Sequence, residues 1–463
     1  MRITSEDILQ GPINKTLYRM TMPMIIGIFA MMAFGAVDTF FVGLMGAGEL
    51  AAISFTMPVT MVILNLVIGL SIGTSVLVGN TIGKEGMKYA ARKSTDSLLF
   101  SLMLVISVSI IGYLTIDPLF TALGASELTL PLIHEYMDIW YLSIGFMVVP
   151  ILGNSVIRAT GDTKWPSILM MSSGLINVVL DPIFIFGFGP VPALGIQGAA
   201  IATAISWVAG FGGALWLLYV REKLIVFSLP PMAELLQFWG TVVKIGLPIA
   251  LANMMMPFAI GALTRLVADY GELAVAGLGA GTRLESFAMV VPFAITAALS
   301  PFMAQNIGAG NLQRAHLGLL ACIKYILLFQ FVILVVFAGG SFWLSLIFSA
   351  DPEVISVTRY YLWIMPLGMG FYGVLIVLNT AFNAAQRSDR TLLTSFIRVA
   401  VFYIPLAWFG GLVLGLPGTF VGATLGNILG AGVGWFIYTH TTMKKVNFET
   451  SVATSEKAKT LPT

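Results

Sequence analysis

YILLFQFVILVVFAGGSFWLSLIFSA, residues 325–350, runs without a single Asp, Glu, Lys, Arg or His. As an α-helix the stretch rises about 39 Å, more than the roughly 30 Å hydrocarbon core of a bilayer. LLFSLMLVISVSIIGYLTI at 98–116 is similarly uncharged, and further apolar runs of comparable length recur along the chain. A membrane barrel would instead show short segments of alternating polarity, so these runs are helices. The composition agrees: of 463 residues, 58% are hydrophobic and only 10% charged, whereas soluble domains carry about a quarter charged residues. The chain dissolves in lipid. The first apolar segment, from Arg19 to about Leu44, is too long for a signal-peptide core and is kept as helix 1.

The basic residues fix the topology. They cluster in alternate loops: Arg2, Lys15 and Arg19 before helix 1, Lys84, Lys88, Arg92 and Lys93 after helix 2, and Arg158 and Lys164 after helix 4. Arg221 and Lys223 follow helix 6, Arg314 follows helix 8, Arg387 and Arg390 follow helix 10, and Lys444, Lys445, Lys457 and Lys459 lie in the tail. The intervening loops around Gly46, Leu123, Gly189 and Leu416 hold no Lys or Arg. By the positive-inside rule both termini are cytoplasmic and the number of spans is even; counting gives twelve. Of the exceptions, Arg265 and Arg283 flank the outer loop after helix 7, where Asp269 and Glu285 are expected to pair with them in the interfacial water. Arg359 lies near the outer start of helix 10. Lys324 and Arg398 fall about eight residues inside helices 9 and 11, near the reach of snorkelling, and are read as facing an internal cavity.

The two halves echo each other. Pro23, GAVDTFF at 35–41, GELA at 48–51 and IGKEG at 82–86 return as Pro248, GALTR at 261–265, GELA at 271–274 and IGAGN at 307–311, and GAAIAT at 198–203 returns as GATLGN at 422–427. The expected architecture is therefore an all-α integral membrane protein with twelve transmembrane helices in two six-helix lobes related by an internal repeat. The N-terminal lobe spans 1–225, a cytoplasmic linker with Pro230, Pro231 and Glu234 spans 226–238, and the C-terminal lobe with its polar tail spans 239–463. Paired lobes of this kind are a recurring carrier plan in which access alternates by movement of one against the other.

Acids inside apolar helices are costly, about 2.5 to 3.5 kcal/mol each on the translocon scale. Asp38 lies in helix 1 and Asp181 in helix 5, with Asn177 one turn before Asp181 on the same face. Counted from Arg19 and Lys164, the two acids sit about 28 and 25 Å deep, in the outer half of the bilayer, and are placed to share one cavity. Burial and a neighbouring carboxylate both favour the protonated form, so such a pair is suited to taking up and releasing a proton near neutral pH. A hydrogen-bonded tie between helices 1 and 5 is the plainer alternative. Asp138 lies nearer the outer surface and reads as rim. Tyr136 either reaches inward or anchors at the interface. Pro23 removes a backbone hydrogen bond near the start of helix 1, a kink that would serve as a hinge. The 24 methionines and 31 phenylalanines suit a cavity that accepts many apolar shapes, although most belong to the core.

Several classes are excluded. His134, His316 and His440 lie far apart near helix ends, and Cys322 is the sole cysteine, so no metal site, disulfide framework or His-based enzyme centre is expected. There is no Walker phosphate loop, hence no direct use of ATP. A net charge of +2 gives no footprint for nucleic acid. No cofactor is expected, and the energy source is an ion gradient.

RATGDTKWP at 158–166, NVVLDPIFIFGFG at 177–189 and QNIGAGNLQRA at 305–315 resemble motifs of the multidrug and toxic compound extrusion (MATE) family of secondary transporters, and the resemblance extends over all twelve helices. Asp38, Asn177 and Asp181 match the acidic helix 1 and helix 5 positions of its DinF-like branch. The resemblance implies export of lipophilic cationic compounds against inward protons, with sodium argued for relatives, in a bacterial-type inner (plasma) membrane, by a chain expected to act as a monomer. It further implies that Tyr136 and Thr203 line the same lobe and that helix 1 bends at Pro23. The sodium-coupled branch places acids in helices 7 and 10. Here helix 7 offers Asn253 and Thr264, and helix 10 has no acid beyond its outer end. A lipid-linked flippase of the wider superfamily is the other transport alternative, and would require basic residues such as Lys324 and Arg398 in a central cavity. In the second half, the positions equivalent to Asp38, Asn177 and Asp181 fall near Thr264, Ala400 and Ile404, so ion coupling is assigned to the first lobe.

Overall fold

The computed structural model describes residues 3–228 and 230–443; Arg2 and the four tail lysines lie outside the described residues. Helices 1 to 6 run over Ile13–Gly43, Ala47–Glu85, Met87–Leu114, Leu130–Ala159, Lys164–Phe186 and Gly195–Arg221. Helix 7 is Met232–Ala268, helix 8 comprises Glu272–Ala288 and Val290–Gly308, helix 9 is Leu312–Leu346 and helix 10 is Pro352–Ala384. The remaining helical stretch, Ser388–Thr441, has 54 residues, about 81 Å if straight, far more than one crossing needs. It turns at Gly415, whose φ of 66° and ψ of −153° are non-helical. Its glycines show the reversal. A Cβ on Gly410 would meet the carbonyl of Gly418, one on Gly422 that of Leu406, one on Gly426 the backbone of Tyr403 and one on Gly430 the Arg398 side chain. As the glycines advance, their partners retreat, the register of two antiparallel helices. Helices 11 (388–414) and 12 (416–441) complete the expected twelve.

The chain separates into two compact units, residues 1–11 with 18–251, and residues 12–17 with 252–463. The division falls within helix 7 rather than at the linker read at 226–238. In the first unit, Phe238, Val242, Ile245 and Ile249 of helix 7 form a cluster with Leu70 and Leu77 of helix 2, and the Gly246 carbonyl approaches Gly69 so closely that a Cβ there would stand 2.5 Å from it. The linker and the start of helix 7 are tied to the same unit: Val226 N–H donates to Thr95 Oγ1 at 2.9 Å, Arg92 donates to the Ser228 carbonyl, and Trp239 Nε1 donates to the Asp96 carbonyl at 3.2 Å.

Each unit has the same burial plan. Helices 2 and 4 are the most enclosed in the first unit, and helices 8 and 10 in the second. Helix 4 is central to the first core through Ile133, Met137, Ile144, Leu152 and Val156. Helix 10 plays that part in the second through Val357, Tyr361, Leu362, Met365 and Met369. The duplicated sequence thus places corresponding helices at corresponding depths.

Helix 8 breaks at mid-length, where Met289 separates its two segments. The carbonyl freed at Ala288 accepts from Gln330 Nε2 of helix 9 at 3.2 Å, and Gln330 is buried. Gln330→Leu keeps the volume but leaves that carbonyl unsatisfied, an expected loss of about 1–3 kcal/mol. Thermal unfolding of the purified protein in detergent reads it as a lowered transition; an unchanged transition would show that the break does not depend on Gln330.

Candidate functional site

The hairpin of helices 5 and 6 is pinned at its open end by Asp162 of RATGDTKWP. Its Oδ1 accepts from the backbone N–H of Lys164 at 3.0 Å and of Trp165 at 3.3 Å, capping helix 5. Its Oδ2 pairs with Arg221 at the end of helix 6 at 2.7 Å, and Gly161 supplies the left-handed φ of 100° that the turn needs. Further along, Gly198 lets helix 6 approach the Phe184 carbonyl of helix 5, where a Cβ would stand at 2.3 Å. That approach brings Thr203 beside Asn177, whose Nδ2 donates to Thr203 Oγ1 at 3.4 Å and to Asp181 Oδ1 at 3.1 Å.

Helix 1 reaches the same place through a second bare glycine. The Phe34 ring occupies the space a Cβ on Gly174 would take, at 2.4 Å. Asp38 lies one turn after Phe34 and Asn177 one turn after Gly174, so the ring contact sets the two polar residues side by side. Asp38 is half-buried and close enough to Asp181 for the two carboxyls to interact. Asp181 is fully buried, and among the described residues no N–H or alcohol donor reaches its Oδ2. The pair therefore has acceptor capacity to spare, which a proton or a small cation would use.

These residues border a cavity of about 530 Å³. Asp38, Asn177, Thr203 and Tyr136 line it, and Asp181 stands behind Asn177. Five methionines, Met31, Met57, Met61, Met147 and Met170, form much of the remaining wall. Trp140 and Trp207 meet edge to face at 6.0 Å on the same wall. The volume and the mix of apolar surface with few polar groups are those of a small-molecule site.

Pro23 is not part of the cavity. Helix 1 runs through it without a break, and it borders a separate cleft of about 370 Å³ with Arg19, Asp162 and Trp165. Asp138 hydrogen-bonds His134, which also bonds Asp117 at 2.9 Å, an arrangement near the N-terminal end of helix 4. Among the described residues no cluster of His, Cys, Asp and Glu is arranged to hold a metal. Sequence reasoning missed Asn154, which is buried, lines the cavity and leaves its Oδ1 without a partner. In sequence it stands one turn before the basic loop that begins at Arg158, and nothing else sets it apart.

The second unit corrects one expectation. Arg265 does pair with Asp269, at 2.5 Å. Glu285 does not pair with Arg283 at the interface: it accepts a hydrogen bond from Tyr361 inside the lobe, near Arg398. The reason is depth. Glu285 is 13 residues, about 20 Å, into helix 8 from Glu272, well past the interfacial zone. Of the two intramembrane cations read as facing an internal cavity, Arg398 is enclosed by protein, whereas Lys324 lies exposed on helix 9.

Twelve membrane-length helices in duplicated halves, with polar residues gathered at a cavity inside a lobe, define a multi-pass membrane transporter and not an enzyme. The chain belongs to the MatE family, whose profile matches residues 23–183 and 248–409. It is 38% identical to the "FAD transporter" of Shewanella oneidensis over 91% of this chain and 93% of that one. It is 27% identical to the "Probable multidrug resistance protein YpnP" of Bacillus subtilis, over 90% and 94% of the two chains. Among solved structures, the bent form of the Vibrio cholerae MATE transporter VcmN matches at 31% identity with a TM-score of 0.86, covering 92% of this chain and 96% of that one. A MATE protein in the straight conformation matches at 26% identity and a TM-score of 0.87, over 96% and 100%.

Proposed function

We propose that the protein is a proton-driven exporter of small lipophilic organic compounds, cations foremost, working by alternating access in the plasma (inner) membrane with both termini cytoplasmic and a monomer as the working unit. The observation that carries this reading is the Asp38, Asn177, Asp181 and Thr203 cluster opening onto a cavity walled by methionines and aromatic rings. Carboxylates attract a cationic solute and bind protons at the same oxygens, so the two compete. Binding of protons from outside discharges the solute outward. Tyr136 and the Trp140–Trp207 pair offer π-faces to the cation. Pro23 is assigned the hinge, and the bent and straight forms solved for relatives support that assignment.

The test is transport in everted membrane vesicles with ethidium as the fluorescent cation. Export quenched by a protonophore and indifferent to sodium supports the reading. Export that survives the protonophore and stops without sodium transfers the coupling to sodium, and the absence of any ethidium transport removes the reading.

A second reading of the substrate has a specific support, the 38% identical relative named for flavin adenine dinucleotide. On that reading the solute is an aromatic organic anion. The carboxylates of the first lobe do not suit its phosphates, and another group has to receive them.

A further inference from the structure

A buried arginine stands at the heart of the second unit. Arg398 is 2% exposed and lies about 15 Å into helix 11 from Ser388. A guanidinium stays charged in any protein environment, and a charge at this depth needs compensation. Its own contacts are few: Nη1 donates to Asn427 Oδ1 at 2.9 Å, and Nε is buried without an acceptor. The plane of the group lies over the Tyr372 ring at 4.4 Å and near that of Tyr403 at 5.8 Å.

The nearest acid is committed elsewhere. Glu285 Oε2 accepts from Tyr361, so Glu285 feels the Arg398 charge without spending that oxygen on it. Two glycines build the arrangement. Without a side chain on Gly281, the Tyr361 ring lies against helix 8 and its hydroxyl reaches Glu285 one turn on; a Cβ there would stand 2.5 Å from the ring. Gly430 of helix 12 makes room for the Arg398 stem, which would stand 2.6 Å from a Cβ. Arg398 itself sits in a π-helical stretch, Ile397–Tyr403, a local widening of the helix that recurs at functional sites. Glu285 and Tyr372, at the margin of the centre, are less completely buried than Arg398.

The duplication adds an independent pointer. GAAIAT at 198–203 and GATLGN at 422–427 align Thr203 with Asn427, and the same offset places Arg398 opposite Gly174, one turn from Asn177. In the first unit Thr203 contacts Asn177, which holds an acid; in the second, Asn427 contacts Arg398, a base. The polar contact made at this level thus leads to an acid in the first lobe and to a base in the second, although the charged positions themselves are not equivalent.

From this geometry we infer that Arg398, with its buried, unpartnered Nε and its aromatic floor of Tyr372 and Tyr403, is a binding site for the oxyanion of an aromatic organic solute, a phosphate or carboxylate group. The inference rests on the transport reading and names the anionic substrate class that the first lobe does not accommodate. A forked guanidinium edge matches two oxygens of one oxyanion, and the phenol rings flank it with apolar faces. Glu285 is the resident counter-charge. It balances Arg398 while the site is empty and opposes a second negative group when one arrives.

The test compares two fluorescent flavins that share one ring system: flavin adenine dinucleotide, which carries phosphates, and riboflavin, which does not. Binding to purified protein in detergent is followed by flavin fluorescence, so the result does not depend on proton coupling. Wild-type protein is expected to bind the dinucleotide at least tenfold more tightly than riboflavin. Arg398→Gln is expected to erase that preference, Arg398→Lys to restore only a small part of it because the fork is lost, and Glu285→Gln to raise dinucleotide affinity severalfold. The charge-balanced double variant, Arg398→Gln with Glu285→Gln, guards against loss of fold and is expected to bind both flavins equally. A purely structural role would weaken both flavins together and leave their ratio unchanged. That outcome overturns the inference, as does a wild-type protein without the preference, whether or not ethidium is exported.

Discussion

Asp38→Asn is expected to abolish concentrative export of ethidium in energised vesicles while leaving the thermal transition of the purified protein unchanged. Asp38 borders the cavity and is half-buried, so the amide replaces it without a steric conflict and removes only the titrating oxygen. Asp181→Asn is expected to act in the same direction, because the new side chain still offers an oxygen to Asn177 Nδ2 and the loss is again one of charge. The size of the effect follows from energetics. If both carboxyls carry a proton inward for each monovalent cation exported, one net charge crosses per cycle, worth about 2.3 kcal/mol per 100 mV, or roughly a fiftyfold gradient. Asp181→Asn then leaves at best a one-for-one exchange, whose gradient no longer responds to a potassium-diffusion potential set with valinomycin. Since the two acids work as a unit, the double variant should be no worse than Asp38→Asn alone. Full potential-driven export by either single variant would remove the pair from the coupling mechanism.

Much of this site was legible in the sequence because its signal is one of cost. An acid in an apolar helix stands out, and Asp38 and Asp181 also lie at matching depth from basic loops, so their meeting was readable by counting. Asn177 followed from helical spacing. The packing that joins them was not readable: Phe34 resting on Gly174, and Gly198 on the Phe184 carbonyl, are contacts between distant segments, and a glycine in a membrane helix does not announce its partner. The same blindness hid the second centre. Arg398 was recognised as deep, but Glu285 looked interfacial because Arg283 stands two residues before it, and only the fold shows Tyr361 crossing from helix 10 to meet it. Helix number was secure from hydropathy and charge, since each crossing is bounded by a loop whose composition differs from lipid-embedded sequence. Even the turn at Gly415, where helical hydrogen bonding runs on, was betrayed in sequence by the uncharged loop near Leu416 between two basic clusters.

Gly422→Val is expected to be among the most damaging single changes in the second unit, lowering stability by more than about 3 kcal/mol or preventing accumulation of folded protein. In membranes, helices gain little from hydrophobicity when they associate, so close backbone approach at small residues supplies much of the attraction. Gly418, Gly422, Gly426 and Gly430 place such residues every fourth position along helix 12, and all four face helix 11. Gly422 is the tightest of them, since a Cβ would lie 1.9 Å from the Leu406 carbonyl oxygen, a backbone atom that cannot rotate away. Overpacking a side-chain core costs about 1–3 kcal/mol; here the obstacle is backbone, so the helices must separate. The separation would also withdraw the Asn427 acceptor from the Arg398 guanidinium. Gly432→Val provides the comparison: it lies on the same helix, is exposed, and has nothing within 4 Å of a built Cβ, so its cost is limited to helix propensity and is expected within about 0.5 kcal/mol of zero. Thermal transitions of the two variants in detergent read the difference directly. A Gly422→Val protein as stable as Gly432→Val would mean that helices 11 and 12 are not packed in the antiparallel register described, and the placement of Arg398 against Gly430 would fall with it.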